Sequence, residues 1–330
     1  MRFRQRETIV SDFDASATVG ATIQCPINSA YPVERLELII PVTVGGTGTN
    51  TVVGDGLLGV AQQITLDVQD GNQGNRPVFS GQGAAFIIED ALRSGREYPA
   101  NTTSRAAPAT NGTYNVIVPL VAALPNVADP AKWNTLLPFH LYGDDPVLRV
   151  TLATRAQITS NASATITYGT PRVRVVQREV NIDGFSYFRF DAVEQQITHG
   201  AAGIVETKLP EFGVYTSILS RGFVSGDPAV ILASAGEALL IRVADNILRY
   251  REDDQIEITR QRCNGFTGFT GAYLLDFLSG PEADGFSLNS CIDANLQSAR
   301  VKLRQNINAA CVQRLLTRRL LGDVSAWVAR

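Results

Sequence analysis

Short stretches of alternating apolar and polar residues, set off by turn residues, run through the chain in the manner of half-buried strands. Ala17–Cys25 alternates, Asn28–Pro32 turns, and Val33–Val44 runs on as a second strand. A Gly/Thr loop over 45–59 leads to a strand at Gln63–Val68, closed by the turn signal Asp70-Gly71-Asn72-Gln73-Gly74. Residues 76–92 read as a strand running into a short helix. After a polar loop at 95–112, Thr113–Leu120 is a strand. Asp129 before Pro130 sets an N-cap ahead of a first-turn proline, which predicts a short helix over 130–137. Strands at Val147–Leu152, Ala162–Tyr168 and Pro171–Val176 close this half. Eight or so short strands with turns between them predict an all-β sandwich.

The second half starts near Asn181-Ile182-Asp183-Gly184 and repeats the outline weakly, so domains are expected over 1–180 and 181–330. Two strands flank Pro210 between Ile204 and Leu219, and Ala238–Val243 precedes a turn at Ala244-Asp245-Asn246. Ala272–Leu278, a Pro/Asp-containing link and Ala299–Leu303 match the strand, link and strand of Thr113–Leu152, about 155 residues apart. Val312–Leu321 reads as a last strand or short helix.

Composition fits this pattern. Of 330 residues 45% are hydrophobic but only 18% charged, which favours strands and turns over charge-covered helices. The net charge of −3 offers no general pull toward nucleic acid, and no sequence-specific nucleic-acid binding is expected. Lys132, Lys208 and Lys302 are the lysines; every other cation is arginine, which suits bidentate pairing in permanent seams. The start, Met1-Arg2-Phe3-Arg4-Gln5-Arg6-Glu7, has no apolar run behind it, so no secretion signal is expected. Cys25, Cys263, Cys291 and Cys311 form no CxxC pair and read as buried free thiols.

The candidate chemical motifs lead nowhere catalytic, and no catalytic, cofactor or metal residue is assigned. Gly143-Asp144-Asp145 matches a polymerase metal tripeptide but lacks a palm-type α+β context; it reads as a surface turn. Gly81-Gln82-Gly83 has Phe86 where a dinucleotide fingerprint needs its third glycine. Gly45-Gly46-Thr47-Gly48 lacks the Gly-Lys ending of a phosphate loop. His140 and His199 have no nucleophile elbow to serve. Asp253-Asp254, or Glu206 with Glu211, would supply the two carboxyls of a glycosidase, although arginine partners or solvent explain them equally. Asn101, Asn111 and Asn161 head glycosylation-type tripeptides that Asn/Thr-rich loops produce by chance.

Four features together resemble a known family. They are Tyr31–Leu36 opening an early strand; Ile64–Gly71 as strand into turn; the Thr113–Leu120 strand with its helix at Pro130–Leu137 and the Val147–Leu152 strand; and the repeat of that layout at Ala272–Leu303. In order and length they resemble the double jelly-roll major capsid proteins of tailless, icosahedral, membrane-containing bacteriophages of the tectivirus and corticovirus type. The resemblance implies two tandem eight-stranded jelly-roll sandwiches with a few short helices and no enzymatic activity. It implies a pseudo-hexameric homotrimer tiling an icosahedral shell, assembled in the host cytoplasm, with neighbouring trimers and penton or minor capsid proteins as partners. The basic N-terminus (Arg2, Arg4, Arg6) would then face an internal viral membrane. A carbohydrate- or receptor-binding β-sandwich is the competing reading; it calls for an aromatic platform, and Trp133 and Trp327 stand far apart in the chain.

Overall fold

The computed structural model describes residues 4–69, 75–106, 111–122, 136–141, 144–179, 189–210, 213–232, 237–243, 246–252, 269–276, 292–293 and 302–321. The chain divides into two compact units, residues 1–91 with 97–193, and residues 92–96 with 194–330. Among the described residues strands dominate and helices are few and short, and the architecture is consistent with the jelly-roll sandwich family.

In the first unit the strands are β1 (Arg4–Val10), β2 (Thr22–Pro26), β3 (Val33–Gly46), β4 (Ala61–Gln69), β5 (Asn75–Gly81), β6 (Gly112–Val121), β7 (Val147–Leu152), β8 (Ala164–Tyr168) and β9 (Arg172–Glu179). One sheet has the order β1-β9-β3-β6, with β8 also on β3; the other runs β5-β4-β7-β2. Beyond β5, Ala192 and Val193 of β10 (Arg189–His199) pair in parallel with Phe79 and Ser80. Alternation fixes the faces: Leu36, Leu38, Ile40 and Val42 of β3 are fully buried, as are Ile64, Leu66 and Val68 of β4 and Leu148 and Val150 of β7. A one-residue shift would turn each set to the wrong side.

Strands β8 and β9 are two pieces of one line along β3, broken at Gly169-Thr170-Pro171. The break lies opposite Pro41, whose carbonyl accepts from the Gly169 N–H at 2.9 Å. A residue's N–H and C=O point to the same side of a strand, so the N–H that proline lacks is missing where no neighbour asks for it.

Helix α1 (Gly83–Ser94) follows β5 as expected, but the polar loop expected at 95–112 contains helix α2 (Pro99–Ala106). The helix expected over 130–137 lies mostly outside the described residues; Leu137 instead exchanges both backbone hydrogen bonds with Val33, at 2.8 and 2.9 Å.

The second unit contains β11 (Gly203–Lys208), β12 (Val214–Val224), β13 (Asp227–Pro228), β14 (Glu237–Val243), β15 (Asn246–Glu252), β16 (Ala272–Asp276), β17 (Ile292–Asp293), β18 (Lys302–Ile307) and β19 (Cys311–Leu321). Here β10 borders β19, β19 pairs with β12, and β16 and β17 lie on the other side of β12; a second sheet has the order β11-β18-β14-β15. When β8 and β9 count as one strand and the two-residue pieces β13 and β17 are set aside, both units follow one order: 1-8-3-6 in one sheet and 5-4-7-2 in the other. The two segments that repeat in the sequence, Thr113–Leu152 and Ala272–Leu303, fall on the sixth and seventh strands of each order.

Candidate functional site

For a chain built of sheets, the surfaces with something left to bind are the outer faces and the end strands, whose outward backbone groups lack a ladder. The end strands of the first unit are treated in two different ways. On β6, the buried Asn101 of α2 accepts from the Ile117 N–H at 2.8 Å and donates to its carbonyl at 2.7 Å. Two residues earlier the Asn115 carbonyl accepts from Ser104 Oγ at 3.0 Å, and two residues later Pro119 has no N–H to offer. On β2, Asp14 accepts from the Gln24 N–H at 2.8 Å and its own N–H donates to the Gln24 carbonyl at 2.9 Å, with Pro26 two residues on. Each edge is closed by an Asx residue and a proline two positions past the residue it caps.

Strand β1 has neither device. It pairs with β9 over all seven residues, and among the described residues nothing lies along its far side. Residues 5–9 are exposed on both faces, Ile9 to 67%.

The outer face beside it is held by charge. Glu37 of β3, almost fully buried, accepts from Tyr98 Oη at 3.0 Å and Arg174 Nη1 at 3.0 Å, and Arg35 Nε stands 3.0 Å away. Arg174 also donates to Glu7 Oε2 from Nη2 at 2.6 Å, which holds the Glu7 carboxyl below the ordinary range. Glu34 pairs with Arg178. Burial, and then the Glu37 charge, push the Tyr98 phenol upward, so it stays a donor.

Arg6 lies 3.5 Å from Glu179 and its guanidinium sits 5.2 Å from the Tyr31 ring centre; Arg4 is in β1, and Arg2 is outside the described residues. Asp145 is a surface residue near Asn28 Nδ2 at 3.5 Å. His140 lies in a one-turn 3-10 helix where burial lowers its pKa. Glu206 pairs with Lys302 at 3.1 Å. Glu211, Asp253, Asp254, Trp133, Trp327, Cys263 and Cys291 lie outside the described residues. Cys25 and Cys311 are buried free thiols, and burial with the nearby Asp12 charge pushes Cys25 up to about 11. Of the glycosylation-type asparagines, Asn101 is fully buried with both amide ends engaged.

In the second unit a polar network is buried among the strands. Gln313 Nε2 donates to Ser220 Oγ and to Gln305 Oε1, both at 2.7 Å. With both of its amide hydrogens used, Gln313 Oε1 accepts, so His199 Nε2, 2.9 Å away, carries the proton. This assignment keeps His199 as a structural donor. Among the described residues no group of three His, Cys, Asp or Glu side chains is placed to hold a metal ion.

No protein-family model matches the sequence, and no curated protein matches it. Solved structures do. The chain superposes on the major capsid protein of Sulfolobus Turreted Icosahedral Virus with a TM-score of 0.71 at 12% identity, covering 99% of this chain and 100% of that one. The fold is that of viral major capsid proteins. The capsid protein of PBCV-1 virus gives 0.63 at 12% identity over 97% and 94% of the two chains. The major capsid protein P2 of bacteriophage PM2 gives 0.57 at 11% over 97% and 99%. The capsid-protein fold extends along nearly the whole chain, and its likeness reaches beyond the bacteriophages.

The sites that sequence reasoning missed are Asn101, Asp14, Glu37 and Tyr98. Proline at Pro26 and Pro119, each near the end of a strand, was the available signal for a blocked edge.

Proposed function

We propose that this chain is the major capsid protein of a tailless icosahedral virus. Its two units are read as tandem eight-stranded jelly rolls, and three chains as one pseudo-hexameric capsomer whose repetition tiles the shell of the virion. The observation that carries this reading is coverage: the likeness to a capsid protein takes in 99% of this chain and all of the other. The strand order repeated in the two units supports it, because a doubled sandwich lets a trimer present six similar faces to its neighbours. Penton or minor capsid proteins would meet the trimers where the lattice changes symmetry. The basic N-terminus with Arg2, Arg4 and Arg6 is read as facing an internal viral membrane, Arg6 lying also 3.5 Å from Glu179.

Permanent seams of such oligomers bury roughly 2,000–5,000 Å². Size-exclusion chromatography with light scattering tests the reading on the purified chain: a particle of three times the 35.6 kDa monomer is expected. Electron microscopy should then show hexagonal plates or shells. A stable monomer that binds glycans would overturn it.

A further inference from the structure

Helix α2, the cover of the β6 edge, has little stability of its own. It is eight residues long, and its asparagine, two threonines and serine are weak helix formers. The hydroxyls of Thr103 and Ser104 bond back to the Pro99 and Ala100 carbonyls, at 3.0 and 2.9 Å. The helix is tied to the sheet by the two Asn101 bonds to Ile117 and the Ser104 bond to the Asn115 carbonyl. Just ahead of it, Tyr98 adds its bond to Glu37.

Glu97 is packed along this helix, its side chain only 5% exposed. Its Oε2 lies 3.3 Å from Arg105 Nη2 in the last turn. Its Oε1 is buried and, among the described residues, accepts no hydrogen bond. A buried carboxylate oxygen without a donor disfavours the ionised form. Burial accordingly raises the Glu97 pKa above the ordinary 4.5, against the opposing pull of the Arg105 charge and the Thr102 hydroxyl. The elements packed on α2 add no charge. They are β6 and the 3-10 turn Gly56–Val60, in which Tyr114 is the one titratable residue. Glu37, Asp90 and Arg35 act on the neighbouring Tyr98.

We propose that α2 is a proton-tightened strap over the edge of β6, closed most firmly when Glu97 is neutral and loosened when it ionises. When the strap lifts, Glu97 reaches water and titrates as an ordinary carboxyl. The closed form thus binds the proton more tightly than the open one, and opening becomes easier as pH rises from 4.5 through the folded value. Below 4.5 both forms are protonated and the dependence ends. This sign is the reverse of ordinary acid weakening, in which a paired carboxylate is lost on protonation. The strap lies within the first unit and does not depend on the capsid reading.

The Ile117 amide reports the strap directly. Its N–H points away from β3 into Asn101 Oδ1, so it exchanges when α2 lifts, with the β3 ladder intact. The next amide, Val118, faces β3 and is the control. Hydrogen exchange on the full-length chain is followed at single amides by fragmentation mass spectrometry from pH 4.5 to pH 8, corrected for intrinsic rates. Ile117 protection is expected to fall about threefold or more over that range, a fall that Val118 does not share. Glu97→Gln, neutral at every pH, should hold Ile117 at its acid level throughout, and Arg105→Gln should deepen the fall. Circular dichroism checks folding, and Glu97→Met replaces Glu97→Gln if that variant fails. A flat Ile117 profile, a fall that persists in the neutral variants, or an equal fall at Val118 would overturn the proposal.

Discussion

Asn101 does for Ile117 what a neighbouring strand would do: its amide oxygen takes the Ile117 N–H at 2.8 Å while its amide nitrogen supplies the carbonyl at 2.7 Å. A helix thereby finishes the hydrogen bonding of a sheet edge, and the residue that does so is fully buried.

Asn101→Ala removes both bonds and leaves two backbone groups of β6 unanswered. Each orphaned buried group costs about 1–3 kcal/mol, so a loss of about 2–4 kcal/mol is expected in urea unfolding. The opened edge should also raise light scattering at temperatures below the melting transition. Unchanged stability would show that water replaces the amide without loss.

Glu37 is the shared acceptor of Tyr98, Arg174 and Arg35 on a covered face. Glu37→Gln should cost about 3 kcal/mol, because it strands the guanidinium groups around an uncharged amide. Adding Arg174→Met should recover part of that loss. A double-mutant cycle with no coupling would contradict the arrangement.

Acid should weaken the fold in two stages. Burial lowers the His140 pKa, so below its ordinary value of 6.5 the unfolded chain takes up a proton that the folded chain resists, and stability falls. The Glu7 pKa is lowered by its Arg174 hydrogen bond, so its contribution, full above the ordinary 4.5, is lost as pH falls through the folded value. Urea midpoints measured from pH 7 to pH 3 should decline in both windows. His140→Gln should flatten the upper one and Glu7→Gln the lower.

Glycine is required at Gly271 for two reasons. Its φ is +69°, and a Cβ there would come within 2.1 Å of the Ala229 carbonyl oxygen. Gly226, with φ +93°, has nothing within 4 Å. Gly226→Ala should therefore cost about 1 kcal/mol, from backbone strain alone. Gly271→Ala should cost several times as much or fail to fold, as thermal melts would show.

The strands with one dry face and one wet face were legible. Val147–Leu152 is found as read, Val33–Val44 and Thr113–Leu120 are found two residues longer, and Gln63–Val68 three. Strand β1 escaped because exposure on both faces leaves no alternation to read. Helix α2 escaped because Asn101, Thr102, Thr103 and Ser104 spell a loop; it is a helix by virtue of docking on β6, and only Pro99 at its start signalled it. The residues that close the edges were hidden for a related reason. Asn101 meets Ile117, and Asp14 meets Gln24, only after the chain has turned back on itself, so no local spacing marks them.

The glutamine pair inside the second unit bears on how the long strands find their alignment. A slip of β19 along β12 by two positions would keep every apolar side chain on its proper side, and packing alone would scarcely resist it. Such a slip would carry Gln313 away from Ser220, Gln305 and His199 together, leaving several dry polar groups stranded at once. The network thus works as a vernier, rejecting a near-miss assembly that oil-like burial would accept.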